Sequence, residues 1–230
     1  MGQVSTHHVE PISAPLPSGR HGLSREYVLA TQRARLIEAA IRVAGTDGYT
    51  AMTVSAVIAR AGVSRKTFYA LFADREACFL AAYDVLLERA RIGVRDAAAQ
   101  LDEAAWPERL AAILGWGLEA LAANPHAARV AFLEVLAAGP EALNRRDNAL
   151  HELARLLEPG YEAAPADVDI PRLMPEAIAG ALYEIVRARV AAARTAELPT
   201  LLPGLLYCAL APFLGPAAAA ALASAGANAD

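Results

Sequence analysis

Thirty-two consecutive residues, 198–229, carry no charged side chain. Such a stretch must be buried in lipid or in protein. Crossing a bilayer takes about 20 apolar residues in one helix, but Pro199, Pro203, Pro212 and Pro216 interrupt this stretch, together with Gly204 and Gly215. A lipid-exposed helix would leave backbone groups unsatisfied at each break. The longest unbroken apolar run before the terminal alanines is Leu205–Ala211. A helix over Leu201–Ala211, apolar on nearly every side, is therefore expected in an oligomer core and not in a membrane.

The rest of the composition describes a soluble, intracellular chain. With 230 residues and 56% hydrophobic content it can bury a core without disulfide or metal staples. Cys78 and Cys208 stand 130 positions apart and form no framework. Both read as buried small hydrophobes. The N-terminus has no charged start followed by an apolar run, so no secretory signal is expected and the cytoplasm is the expected compartment. The net charge of −4 hides a split: residues 1–76 hold nine bases and six acids, and residues 77–230 hold twelve and nineteen. A mildly basic head on an acidic body points to a polyanionic partner for the head.

Residues 1–24 contain Pro11, Pro15, Pro17, Gly19 and Gly22 with little apolar periodicity, and read as a flexible arm. Helical spacing then takes over. Leu36, Ile37, Ala40, Ile41 and Ala44 mark an amphipathic helix from about Tyr27, closed by Asp47-Gly48. Thr53 caps a short helix, Val54–Arg60, and Ser64 caps a second one through Tyr69. Asp74 caps a long helix striped by Phe79, Tyr83, Leu86, Ala90 and Val94. Beyond it, Pro107, Asn124-Pro125 and Gly139-Pro140 punctuate further helices. Pro159–Pro175 reads as a loop, Pro175–Arg194 as a helix, and the terminal alanines as a frayed tail without a role. No stretch alternates like a strand, so the fold class is all-α. A head over residues 25–76 precedes a larger helical body over 77–230.

The two short capped helices meet at Ala61-Gly62-Val63, which is helix-turn-helix geometry. Val54, Val57, Ile58, Val63 and Phe68 are expected inside, with Ala56 and Ala59 small enough for close helix approach. A rod about 9 Å long fits a major groove about 12 Å wide. Arg65 and Lys66 suit guanine acceptors or phosphates, and Thr67 suits a base edge. Thr53, Ser64 and Tyr69 suit phosphates, which fix register. Arg75, at the start of the next helix, is expected to hold another phosphate. Lys66 is the only lysine in the chain, and it falls on this helix.

Residues Arg35–Phe79 resemble the DNA-binding domain of the TetR-type bacterial transcriptional regulators. The likeness runs through Asp47-Gly48-Tyr49, Met52-Thr53-Val54, Ile58-Ala-Arg-Ala-Gly-Val-Ser, Thr67-Phe-Tyr-Ala-Leu-Phe and Asp74-Arg75-Glu76. It implies a three-helix DNA reader ahead of a helical domain that dimerises and often encloses an effector. There are departures. Arg75 stands where the family often has lysine, Leu71 where it often has histidine, and Lys66 where a small or neutral residue is common. The family's operator preferences therefore do not carry over.

One short helix reads only a few base pairs, so a two-fold dimer on a palindromic DNA operator is expected. The last two helices are the expected interface, with Ala177, Gly180 and Ala181 permitting close approach and Leu205, Leu206, Leu210 and Phe213 supplying apolar area. Tyr83, Trp116, Phe132, Glu134, Tyr183 and Cys208 are the candidate lining of a pocket for a small apolar or aromatic effector. His126 reads as a surface residue at a helix start. The five histidines, His7, His8, His21, His126 and His151, form no grouping with a nucleophile, and no phosphate loop or metal-ligand spacing appears. No catalytic residue, metal or cofactor is expected. The competing reading is a helical interaction module, or a small-molecule-binding protein, that does not recognise an operator.

Overall fold

The computed structural model describes residues 24–101 and 104–226; among these there are α-helices and 3-10 turns but no strand. The expected arm lies outside the described residues apart from Ser24, whose hydroxyl accepts from the Tyr27 amide and caps the first helix. That helix, α1, spans Arg25–Asp47 and buries the predicted stripe of Leu36, Ile37, Ala40, Ile41 and Ala44. The next two are α2, Val54–Ala61, and α3, Arg65–Leu71. Thr53 accepts from the Ala56 amide at 3.1 Å and Ser64 from the Thr67 amide at 3.0 Å, each satisfying a donor that the first helical turn leaves free. Between them Gly62 sits at φ +62°, a left-handed conformation that a side chain resists. That single residue sets the sharp angle between α2 and α3.

Val57 and Phe68 are fully buried, with Val54, Ile58 and Val63 packed partly against the same core; Ala59 faces solvent, so only Ala56 of the two expected alanines helps the helices approach. The long α4, Arg75–Ala99, leaves the head and spans about 37 Å at 1.5 Å per residue. Its stripe buries Phe79 and Tyr83, but Ala90 is exposed, and Gly93 and Ala97 take the buried positions further along. The cause is α5, Trp106–Ala123: a Cβ on Gly93 would fall 1.7 Å from the Trp116 ring. Trp116 thus lies directly against the α4 backbone at Gly93.

Two further helices carry the body back to the head. In α6, Pro125–Phe132, the first turn lies under α1, and a Cβ on Gly45 would meet the His126 carbonyl oxygen at 2.5 Å. His126 is accordingly half-buried, with its Nδ1 3.4 Å from the Thr46 hydroxyl, and is not the surface residue expected. Asn124 does not cap α6; its amide donates instead to the Ala120 carbonyl at the end of α5. A 3-10 turn, Glu134–Ala137, follows, then α7, Pro140–Arg155. Val130, Val135, Ala138 and Ala142 join the same apolar cluster as Phe68 and Phe79, so the core of the head continues into the body past residue 76.

The second apolar cluster is built by α5, α9 (Met174–Ala191) and α10 (Leu202–Leu214), around Leu110, Leu182, Leu206, Leu210 and Phe213. Within the expected Pro159–Pro175 loop a one-turn helix, α8, Gly160–Ala163, backs onto Phe213. A 3-10 segment, Thr195–Leu201, leads into α10. Together they make one stretch, Thr195–Leu214, long and apolar enough to cross a membrane by length and composition. Leu198, Leu205, Leu206, Ala209, Leu210 and Phe213 of this stretch are buried in the body, while Tyr207 and Cys208 are exposed. The terminal alanines form α11, Pro216–Gly226, which packs along α10 through buried Ala219 and Ala223. They do not fray, because alanine is the best helix former and its small side chain lets two helices approach closely.

The α4–α5 contact predicts opposite outcomes for two glycine substitutions. Gly93→Ala should lower stability by about 1–3 kcal/mol, because Trp116 has to move. Gly117→Ala, where no atom lies within 4 Å of the new methyl, should raise it by about 0.5–1 kcal/mol. Urea unfolding of the two variants beside the wild type checks both signs.

Candidate nucleic-acid interface

Seven residues make a weak helix on their own, so α3 is held by what lies on either side of it. Phe68 anchors its inner face, meeting Phe72 at a centroid distance of 5.7 Å. The Ser64 hydroxyl closes its start and also lies 2.9 Å from the Thr67 hydroxyl. With the inner face fixed, Arg65, Lys66 and Tyr69 are left in solvent, and Tyr69 is 52% exposed.

The expected contact residues divide by what their polar atoms already do. Lys66 and Tyr69 are exposed, and neither side chain is hydrogen-bonded to another described residue. Arg65 stands outside as well, but one Nη donates to the Ser55 hydroxyl at 2.7 Å, which braces the guanidinium against α2 and leaves its other donors outward. Thr53, Ser64 and Thr67 use their hydroxyls locally, each keeping acceptor capacity.

Arg75 is different. Its guanidinium lies 4.8 Å over the Tyr49 ring and donates to the Thr50 carbonyl at 3.3 Å. Its Nη1 is engaged on the loop between α1 and α2, which braces the guanidinium there. The helix-start position was legible in the sequence, but the aromatic ring and carbonyl waiting for it belong to another segment.

The expected effector residues do not form one set. Phe132 stacks on Tyr183 with centroids 4.9 Å apart, and the Tyr183 hydroxyl donates to the Phe132 carbonyl at 3.4 Å. Tyr83 faces the same seam between α4, α6 and α9. Burial raises both phenols above their ordinary range, partly opposed by the Arg146 guanidinium, so both stay protonated at neutral pH. Arg146 lies 5.7 Å over the Tyr183 ring, and its Nε is buried without a partner. Sequence reasoning missed it, since nothing in Asn144-Arg145-Arg146 tells which arginine turns inward.

The other three residues lie elsewhere. Trp116 is wedged on Gly93. Glu134 is buried against Arg129 and the α1–α2 loop. Cys208 is exposed on the outer face of α10, against the expectation of burial. Cys78 is buried as expected, and desolvation pushes its thiol up to about 12. An open groove of about 860 Å³ between α7 and the start of α9 is lined by Arg91, His151, Arg155, Arg172 and Glu176, with none of the expected pocket residues.

The expected interface residues separate in the same way. Ala177, Gly180 and Ala181 are exposed on α9. Leu205, Leu206, Leu210 and Phe213 are at most 4% exposed within their own chain, so their apolar area already closes the subunit core and is not available to a second copy. What α10 presents outward is Gly204, Tyr207 and Cys208.

Comparison with known proteins agrees with this geometry. Residues 36–82 match the family model of the bacterial regulatory proteins of the tetR family. No curated protein matches. Among solved structures, the fatty acid degradation regulator FadR from Bacillus halodurans is 26% identical, with a TM-score of 0.67 over 78% of this chain and 94% of that one. FadR from Bacillus subtilis, solved in complex with stearoyl-CoA, is 23% identical, with a TM-score of 0.64 over 79% and 97%. CprB from S. coelicolor A3(2), a TetR family protein, is 20% identical, with a TM-score of 0.59 over 88% and 100%. The head thus carries the sequence pattern of the bacterial regulatory proteins of the tetR family over residues 36–82, and the chain is similar in fold to these solved regulators over most of its length.

Proposed function

We propose that the protein is a dimeric repressor that reads a palindromic operator with α3 and is released by a small apolar or aromatic effector. The observation that carries the reading is the outer face of α3: Arg65, Lys66 and Tyr69 are exposed beside each other on a helix whose inner face is locked by Phe68. Lys66 and the free donors of Arg65 suit base acceptors, while Tyr69, Thr53 and Ser64 suit phosphates. Thr67 offers its methyl and remaining lone pair to a base edge. Arg75 supports the loop behind this surface and is left out of the contact set.

A good bidentate base contact discriminates by about 1–3 kcal/mol, which is too little for one short helix to select a site in a genome. Doubling the reader across a two-fold axis answers that need. The surface that supports it is the exposed small-residue face of α9, Ala177, Gly180 and Ala181, beside the outward face of α10 with Tyr207 and Cys208. Two copies packed there form an isologous four-helix contact.

For the effector, the Tyr83–Phe132–Tyr183 seam is the best-supported site. It joins three helices of the body, and one of them, α6, touches the head directly. A ligand that opens this seam shifts the heads only by favouring one of their arrangements over the other. The fold likeness to a regulator solved with stearoyl-CoA supports a ligand with a long apolar part.

Selection of binding sites from randomised duplex DNA tests the reading: a palindromic consensus supports it, and no enrichment over an unrelated protein rejects it. On the selected duplex, Lys66→Ala and Tyr69→Ala should weaken binding while the helical circular dichroism is unchanged. If Lys66 meets a phosphate, its loss should lower the slope of log affinity against log salt by about one. Unchanged affinity in both variants counts against α3 as the reader.

For the dimer, Gly180→Arg should convert the species seen by sedimentation from dimer to monomer. The same change should speed alkylation of Cys208, uncovered by loss of the partner, while Cys78 stays inert. A wild-type monomer at micromolar concentration contradicts the proposal.

A further inference from the structure

A carboxylate from the body holds the loop that aims the reading head. Glu134 lies in the 3-10 turn after α6, with its side chain 11% exposed. Its Oε2 accepts the Tyr49 backbone N–H at 2.7 Å, across 85 residues of sequence. Its Oε1 accepts from Arg129 Nη2 at 2.9 Å. The acceptor reaches Tyr49 because residue 48 has no side chain: Gly48 sits at φ +88°, and a Cβ there would press to 3.3 Å from Oε2.

From the other side the same loop is gripped by Arg75, over the Tyr49 ring and on the Thr50 carbonyl. Tyr49 and Thr50 therefore sit between the first turn of α4 and the body. The loop belongs to the head, so the bond from Glu134 to Tyr49 ties the head as a unit to the body.

Packing alone does not call for a charged group here. The Arg129 side chain is 39% exposed, and ion pairs open to solvent add little to stability. This one is also imperfect, since the Arg129 Nε is buried without an acceptor. What an apolar pair cannot do is accept a backbone N–H. Charge-assisted acceptance of that kind is short and directional, so it fixes an orientation.

Glu134 also stands two residues beyond Phe132, whose ring stacks on Tyr183. Only Leu133 separates the two in the chain, between the end of α6 and the start of the 3-10 turn.

We infer that Glu134 is a positioning residue for DNA reading: through Tyr49 it fixes the orientation of the head on the body, and so the relative setting of the two heads in the dimer. The inference rests on the dimeric operator reading above and adds the residue that links the body to the head.

The test uses the full chain as wild type, Glu134→Gln and Arg129→Met. Two duplexes come from selection with the wild type, one carrying both half-sites and one carrying a single half-site. Replacing a charge-assisted bond by a neutral one should weaken binding to the double site by about tenfold in Glu134→Gln. Binding to the single half-site should be unchanged, because each head keeps its own contact surface. Amide exchange at Tyr49 should accelerate in the same variant.

Arg129→Met should likewise weaken binding to the double site and accelerate Tyr49 exchange while leaving the single half-site unchanged, and it carries the comparison if Glu134→Gln does not fold. A merely structural role lowers the folded fraction and so weakens both duplexes equally. That result, or unchanged binding to both, or an unchanged Tyr49 exchange rate, overturns the inference. A wild type that enriches no duplex removes the operator reading and the inference with it. A wild type that binds beside an indistinguishable Glu134→Gln removes the inference alone.

Discussion

The burial of Phe68 is the contact on which the outward face of α3 depends. A seven-residue helix is far below the length at which helices persist alone in water. Its hydroxyl cap contributes about 1 kcal/mol, and a fully buried phenylalanine contributes about 1.5–3 kcal/mol. Neither is sufficient without the turn at Gly62, which delivers the ring into a core already assembled by Leu36, Ile37, Met52 and Val57. Once the ring is in place, the opposite face of α3 has to point outward. The exposure of Lys66 and Tyr69 is thus a consequence of packing on the other side of the same helix.

The second constraint is that head and body share a core. Val130 and Val135 belong to the same cluster as Phe68 and Phe79, and the first turn of α6 lies against Gly45. A body that repacks therefore cannot leave the head where it was. Tightly packed interiors move between discrete arrangements and do not deform smoothly. The Phe132–Tyr183 stack and the Glu134 contact with Tyr49 lie on this shared surface, two residues apart.

The residues that the sequence misassigned share one property: their roles depend on neighbours distant in the chain. Leu205, Leu206, Leu210 and Phe213 form the apolar side of α10, and periodicity cannot tell whether such a side meets its own subunit or a partner. Here α5 and α9 already cover it. Arg75 at a helix start is suited to an anion until the Tyr49 ring is found beneath it. Glu134 and Trp116 were chosen as pocket residues by type, yet Trp116 fills the groove over Gly93 and Glu134 caps a backbone amide. The alanine tail has little periodic signal, since nearly all its positions apart from Leu222 are small, and only contact with α10 reveals which alanines are buried.

Local interactions explain what could be read without coordinates. Caps at Ser24, Thr53, Ser64 and Asp74, the left-handed glycine at 62 and the apolar stripe of α1 act within a few residues of themselves. Their physics is complete in the local sequence, so the all-helical class, the helix-turn-helix and the outward placement of Lys66 were already determined there. Long-range packing decided the rest: which side of α10 stays free, which arginine turns into the aromatic seam, and which carboxylate meets the Tyr49 amide. These depend on how helices are laid across one another, and residue order does not encode that laying in any short window.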